Sequence, residues 1–320
     1  MWSLSNARLF EKCQRQWFYK THVANANATK NVCQREAYIL STLNSVDSWR
    51  GKIVDLVISN RIIRDLEFRR SLNADDIFRY AKSVFDKQRE FALLNRVREP
   101  GMSKTSAGEN FAALYAIEYG SGVTNEEFAR AWSDVEQALE AFLGMRELIN
   151  KLRRAERLVA QRPLKFSVLD VQCRAVPDLI AFFKNDPPLI VDWKVHTFGT
   201  KDYRRQLAIY ALALTMCEPH SDFPSSLSQY CPTDLQLLEV QLLTNRPREY
   251  KLVDSDIEDA ESYIAESSTE IKLSLGECIE MLTPSDFPVT EFLGTCDKCP
   301  FRTPCWKEPV CQELKQMTLL

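Results

Sequence analysis

Residues 176–210 read VPDLIAFFKNDPPLIVDWKVHTFGTKDYRRQLAIY, and this stretch decides the fold. Two apolar runs, AVPDLIAFF and PPLIVDWKV, flank the polar turn Lys184-Asn185-Asp186-Pro187. Short apolar runs bounded by turn residues predict two adjacent strands. Two carboxylates and a lysine interrupt them: Asp178, Asp192 and Lys194. Strand side chains alternate faces, so Asp192 and Lys194 point the same way, and Asp178 joins them if the strands pair. Two carboxylates of this kind could hold a hard divalent cation through oxygen, with the lysine as a neighbouring charge or base. A helix is expected next, with Gln206 and Tyr210 four apart on one face. A second reading needs no metal: Asp192 and Lys194 would form an exposed pair, and Gln206 and Tyr210 would be ordinary positions of an amphipathic helix.

Val-Pro-Asp, then Asp-Trp-Lys, then Gln-Leu-Ala-Ile-Tyr resemble, in order and separation, the active-site block of the RecB-like PD-(D/E)XK nucleases. The resemblance implies an α/β fold of the restriction-endonuclease type, a mixed sheet flanked by helices. It also implies a catalytic set of Asp178, Asp192, Lys194, Gln206 and Tyr210, with Mg²⁺ or Mn²⁺ on Asp178 and Asp192. In these nucleases a glycine is followed four residues later by a histidine ligand. Here Gly51 is followed by Asp55. Aspartate can ligate either ion through oxygen, so Asp55 is a candidate third ligand, or a plain polar helix residue.

The wider composition is ordinary for a globular chain: 320 residues, 45% hydrophobic and 27% charged, with net charge −3. No global basic signature of nucleic-acid binding exists, which leaves room only for a local basic groove. No apolar run approaches the length of a membrane helix. The N-terminal MWSLSNARLFEKC has no apolar segment of a secretory signal, so a cytoplasmic location without membrane association is expected. Ten cysteines then favour a reducing compartment and metal ligation over disulfides.

Along the chain, residues 1–60 read as helices, with Ser5 a candidate cap and Cys13 at helical spacing from Leu9. Residues 61–155 read as a polar helical insertion, broken at Glu99–Gly108. The end of the insertion is basic (Arg146, Lys151, Arg153, Arg154, Arg157), a solvated helix face or a phosphate contact. Residues 156–282 form the expected core. It has strands in ERLVAQRPLKFSVL, VQCRAVPDLIAFF and PLIVDWKV, a helix over 201–216, and a hairpin across Thr244-Asn245-Arg246-Pro247. A helix over 255–282 closes it. Arg204 and Arg205 are candidate phosphate contacts or solvated charges. His196 has no assigned role.

Residues 283–320 carry a second signal, EFLGTCDKCPFRTPCWKEPVC, in which Cys296, Cys299 and Cys305 are spaced C-x2-C-x5-C. Three thiols so close, among prolines and few apolar residues, point to ligation rather than packing. Cys311 could complete a four-thiolate zinc site, or distant Cys13 could complete a [4Fe–4S] cluster. Softness does not choose between them. An early single cysteine before a basic-aromatic run, paired with this C-terminal spacing, is similar to the iron–sulfur branch of these nucleases. That branch includes the CRISPR-associated RecB-like nucleases and the AddB nuclease domain. The resemblance implies that Cys13, Cys296, Cys299 and Cys305 hold a structural [4Fe–4S] cluster joining the two ends of the chain.

The expected function is metal-dependent DNA hydrolysis, exonucleolytic or endonucleolytic. The DNA would be single-stranded or carry a free end, and protein partners would come from a repair, recombination or CRISPR-defence complex. Two alternatives stay open: a non-catalytic DNA-binding subunit with a degenerate site, and a zinc-stabilised interaction protein.

Overall fold

A computed structural model describes residues 1–28, 30–195, 203–218 and 220–306. His196 and Cys311 lie outside these residues, as do positions 201 and 202 of the expected 201–216 helix. The described chain falls into two compact units. The first comprises Met1–Ser3, Val46–Asp86 and Thr124–Ala265; the second comprises Leu4–Ser45, Lys87–Val123 and Glu266–Leu320. The residues expected to form one helical insertion are therefore shared between both units.

The first unit is built on a five-stranded sheet in the order β1-β4-β5-β6-β7. Its strands are β1 (Arg157–Ala160), β4 (Leu179–Phe182), β5 (Leu189–Lys194), β6 (Gln236–Gln241) and β7 (Arg246–Tyr250). All pairings are antiparallel except β5–β6, which is parallel. A parallel pair needs a crossover, and the Arg204–Met216 helix supplies it. β2 (Leu164–Val168) and β3 (Val171–Ala175) form a separate hairpin. Its two turn residues, Leu169 and Asp170, both have positive φ, the backbone of the hairpin turns that match strand twist. This is the mixed sheet flanked by helices that the sequence predicts.

Two prolines explain why three expected strands become five. Pro163 breaks the run 156–169 after β1, and Pro177 breaks the run 171–183 before β4. Proline lacks the N–H that a central ladder needs and forces the preceding residue out of regular helix. β4 is fully buried and β5 is buried up to its last residue, Lys194, as expected for strands covered on both faces. Each fully buried Leu, Ile, Val or Phe there contributes about 1.5–3 kcal/mol.

One cover is the Arg204–Met216 helix, which buries Leu207, Ala208, Ile209, Ala211, Leu212, Ala213 and Leu214, an almost uniformly apolar surface suited to lying between layers. The Val46–Val57 helix buries Trp49, Ile53, Val54 and Val57. The Asn125–Gly144 helix packs against it, burying Val135, Ala138, Leu139 and Phe142. Trp49 meets Phe85 and Phe128 at ring centroid distances of 4.8 and 5.8 Å.

Several expectations are corrected locally. Within the helices expected over residues 1–60, a break falls at Leu43–Ser45, where the Leu43 and Asn44 N–H groups bond Leu40 and Ala113 carbonyls. The final helix runs Asp254–Leu275 rather than to 282, and Gly276 just past it has φ +58°, the usual helix-ending conformation. The hairpin turn spans Leu242–Asn245, so Arg246 and Pro247 belong to β7, an edge strand where proline is tolerated. Ser5 lies inside the Leu4–Lys12 helix instead of capping it. Among the described residues no helix is long and apolar enough to cross a membrane.

The second unit has a separate core of Phe10, Trp17, Phe18, Tyr19, Leu40, Phe287 and Phe301. Phe18 stacks on Phe287 at 4.3 Å and Tyr19 on Phe301 at 5.2 Å. Residues near both ends of the sequence thus share one apolar cluster.

Candidate active site

The proline breaks that end β1 and begin β4 also deliver the site. Ala160 pairs with Leu179, so Gln161 and Asp178 emerge side by side, and the Gln161 N–H donates to the Asp178 carbonyl at 3.0 Å. On the other side Leu179 pairs with Val191. One residue further along that register, Asp178 faces Asp192. The Trp193 N–H, which would otherwise continue the ladder, donates to Asp178 Oδ2 at 3.0 Å.

Asp55 arrives from the last full turn of the Val46–Val57 helix, just before it widens to a π turn over Ile58–Ile63. Asp55 Oδ1 accepts from the Trp193 indole Nε1 at 2.9 Å and from Gln161 Nε2 at 2.7 Å. The same Gln161 Nε2 lies 3.1 Å from Asp178 Oδ1. Asp192 is 1% exposed. Its Oδ1 accepts from Gln206 Nε2 at 2.9 Å, and its Oδ2 meets Lys194 Nζ at 2.5 Å. Gln206 also donates to the Tyr210 hydroxyl at 3.0 Å. Lys194 Nζ lies 4.8 Å from the Tyr203 ring centre.

These groups line one open pocket of about 380 Å³: Asp55, Asp178, Asp192, Lys194, Gln206 and Tyr210, joined by Gly51 and Trp193. The catalytic set that the resemblance implies, Asp178, Asp192, Lys194, Gln206 and Tyr210, lies here together with Asp55, whereas Arg204 and Arg205 do not line the pocket. Sequence reasoning missed Gln161 and the indole of Trp193. Gln161 has φ +50°, a conformation uncommon outside glycine and often found at functional sites. Its only trace in the sequence is the Pro163 that follows two residues later.

Burial, followed by the charges of Asp192 and Asp55, holds the Asp178 carboxyl well above the usual carboxylate range; Lys194 opposes this. Burial also raises Asp55, against hydrogen bonds from Trp193 and Gln161. The pocket thus gathers negative charge that one lysine does not offset. A divalent cation would supply the missing charge, and an all-oxygen donor set suits hard ions such as Mg²⁺ or Mn²⁺. The carboxylates are turned onto protein donors, and among the described residues no three His, Cys, Asp or Glu side chains form a ready-made ligand set. Loading would therefore require ligand adjustment, principally at Asp192.

The two arginines opening the Arg204–Met216 helix have protein partners. Arg204 Nη1 pairs with Asp256 Oδ2 at 3.1 Å, and the Arg205 guanidinium lies over Tyr263 at 4.5 Å. Along the basic run, Lys151 bonds Gln236 and Arg157 pairs with Glu67 at 3.1 Å. Arg157 begins β1 at the end opposite Gln161, and Arg153 and Arg154 precede it. Four strand residues at about 3.3 Å each put it roughly 13 Å from the carboxylate end.

Within the second unit, Cys13, Cys296, Cys299 and Cys305 line a single narrow pocket with Gln16, Tyr19 and Arg302. All four are free thiols. Cys13 caps the Gln14–Phe18 helix, its Sγ accepting from the Gln16 N–H at 3.5 Å. Three tyrosine hydroxyls donate to carbonyls of the cysteine segment: Tyr115 to Asp297 at 2.8 Å, Tyr119 to Pro300 at 2.5 Å and Tyr19 to Pro304 at 3.2 Å. Burial, then the neighbouring cysteines, pushes the Cys299 thiol up to about 12. Burial also raises Cys305, with Arg15 opposing. The four thiols share one pocket, and neighbouring cysteines help to raise Cys299 and Cys305. Sulfur donors are the type that zinc and iron–sulfur centres take, and among the described residues these thiols too form no ready-made ligand set.

Residues 1–306 match the PD-(D/E)XK nuclease superfamily. The chain belongs to that superfamily, and membership implies nuclease activity on DNA. Among solved structures it is similar to a chain described as "Crystal structure of SSO0001", at 13% identity and a TM-score of 0.29, over 60% of this chain and 78% of that one. No curated protein matches it.

Proposed function

We propose that the protein is a divalent-metal-dependent deoxyribonuclease of the RecB-like kind, with Asp55, Asp178 and Asp192 as metal ligands. The observation that carries the reading is the convergence of these three carboxylates with Lys194, Gln206 and Tyr210 in one pocket at the end of the sheet. A bound Mg²⁺ or Mn²⁺ would polarise the scissile phosphate and lower the pKa of a bound water. Asp178 and Asp192 come from the paired β4–β5 region and Asp55 from a helix, so the three carboxylates reach the pocket from different elements. Gln161 and Trp193 hold the Asp55 and Asp178 carboxylates in place, and Gln206 holds Asp192. Lys194, an ammonium at the pocket wall, orients the attacking water or neutralises charge growing on the phosphate.

For the second unit, the reading is a structural [4Fe–4S] cluster on Cys13, Cys296, Cys299 and Cys305. Its support is that Cys13 lines the same pocket as the C-terminal triplet, 283 positions away (296 − 13). Ligation would require deprotonated thiols, so loading would release protons. Substrates with single strands or free ends, in a repair or defence setting with protein partners, complete the proposal. A non-catalytic DNA-binding subunit is the second reading. It is favoured by Asp55 standing where the related nucleases carry histidine, and by the absence of a preassembled ligand set among the described residues.

The test is an assay of anaerobically purified protein on end-labelled single- and double-stranded DNA with Mg²⁺ or Mn²⁺. Shortened labelled products with either ion support the nuclease reading. Binding without cleavage in both ions supports the second.

Two further outcomes are expected. Asp55→Ala should raise the metal concentration for half-maximal activity about tenfold or more, while Asp55→His should be tolerated and shift preference toward Mn²⁺, because imidazole suits that ion better than Mg²⁺. An unchanged metal titration in Asp55→Ala would leave Asp55 outside the ligand set.

The raised Asp178 carboxyl sets a pH dependence. Below the ordinary carboxylate pKa, Asp178 is protonated in both folded and unfolded chains. Between that ordinary value, where the unfolded chain ionises, and its higher folded value, the metal-free folded chain still holds the proton, so stability falls as pH rises and levels off above the folded value. The melting temperature of metal-free protein should therefore fall across that window and recover with Mn²⁺. A melting temperature with the same pH dependence with and without Mn²⁺ would contradict this account.

A further inference from the structure

Lys194 poses a problem that the site, read as above, must solve. Its ammonium sits 2.5 Å from Asp192 Oδ2, while Asp192 Oδ1 is held by Gln206 at 2.9 Å. A cation taking Asp192 as ligand would meet a like charge on the same carboxylate, at a distance where repulsion in a buried site is large. Gln206 is a neutral, buried donor on a rigid helix; the ammonium, on a four-carbon stem, is the group that can move.

The neighbouring strand offers a place for it. β5 and β6 pair in parallel with Asp192 opposite Glu239 and Lys194 opposite Gln241, so all four side chains share one face of the sheet. Gln241 is 2% exposed and Glu239 0%. Gln241 Nε2 donates to Glu239 Oε1. Glu239 Oε2 accepts from the Tyr250 hydroxyl at 2.7 Å and pairs with Arg248 Nη1 at 3.7 Å. A carboxylate only accepts, so the amide must turn its NH2 toward Glu239 and its oxygen away. That oxygen, Gln241 Oε1, is buried without a hydrogen-bond partner. Buried carbonyl oxygens are seldom left so, and each asks for a donor.

We propose that Gln241 Oε1 receives the Lys194 ammonium when a divalent cation occupies Asp192. Gln241 is then a positioning residue: it clears the cation's oxygen and keeps the lysine beside the reacting phosphate. Glu239, with Tyr250 and Arg248 behind it, fixes the amide so that its oxygen is presented. The inference rests on the reading of Asp192 as a metal ligand.

The test is a double-mutant cycle read by Mn²⁺ binding calorimetry on the full chain. Gln241→Leu should weaken Mn²⁺ binding about tenfold or more, because the ammonium has nowhere to go. In a Lys194→Met background the same substitution should have little effect, since no ammonium needs receiving. Equal weakening in both backgrounds, or none in either, overturns the proposal. Wild-type protein that binds no Mn²⁺ overturns the site reading, and the proposal with it. If Gln241→Leu does not fold, a crystal structure of the wild type with Ca²⁺ decides. Nζ should lie within about 3 Å of Gln241 Oε1; an ammonium still on Asp192 Oδ2 beside the ion overturns the proposal.

Discussion

Replacing Asp192 or Lys194 by alanine should abolish divalent-metal-dependent cleavage while leaving the sheet intact. Asp192 is the most buried of the three carboxylates and joins Gln206 and Lys194 on its two oxygens. On the proposed reading its loss removes a metal ligand, and in any case it removes the partner of both neighbours. A metal site supplies several kcal/mol of transition-state stabilisation. At tenfold per roughly 1.4 kcal/mol, losing it should cost on the order of 1,000-fold or more in rate. Stability should respond differently in the two variants. Asp192→Ala relieves charge crowding around Asp178, while Lys194→Ala removes the cation that opposes the rise of its pKa. Metal-free Lys194→Ala should therefore be the less stable at neutral pH. Full cleavage activity in either variant would remove these residues from the chemistry.

The second large effect concerns the cysteines. On the proposed [4Fe–4S] reading the protein is brown, and Cys13→Ser should bleach it and lower its melting temperature, because ligation energy is partly folding energy. A loss of about 4 kcal/mol corresponds to a drop of roughly 10 °C for a unit of this size. Cys311→Ser should do neither. Iron and zinc analysis of anaerobically purified samples, with visible spectra, reads the result. A colourless zinc protein in which Cys311→Ser loses the metal and Cys13→Ser keeps it would remove Cys13 from the ligand set. The apolar cluster of Phe18, Phe287 and Phe301 and the three tyrosine-to-carbonyl bonds would still hold the second unit together, so the Cys13→Ser variant should remain folded enough to assay.

Much of the candidate site was legible because its residues interrupt apolar runs. Asp178 and Asp192 stand out against Leu179–Phe182 and Leu189–Val191, and period-two alternation puts Asp192 and Lys194 on one face. Four-residue spacing did the same for Gln206 and Tyr210, which the structure joins by a hydrogen bond. The strand count was misread because Pro163 and Pro177 sit inside apolar stretches that otherwise look continuous. Those two breaks are what place Gln161 beside Asp178.

Gln161 left only the trace of Pro163 two residues on: its place depends on a left-handed backbone and on pairing between β1 and β4. The fate of Arg204 and Arg205 was equally hidden, since Asp256 and Tyr263 lie 52 and 58 residues downstream (256 − 204 and 263 − 205) and reach them only through tertiary packing. The Glu239–Gln241 pair was invisible for another reason. In LQLLEVQLL it reads as ordinary alternation in a strand, and only the parallel register with β5 sets it beside Lys194.

The claim that the three carboxylates hold a catalytic cation is tested most directly by Mn²⁺ electron paramagnetic resonance on the wild type and on Asp178→Asn. The amide keeps the size of the carboxyl and removes its charge. The account predicts bound Mn²⁺ in the wild type and, in Asp178→Asn, affinity reduced at least about tenfold with cleavage lost in parallel. Mn²⁺ bound equally well by both proteins, or by neither, would contradict it.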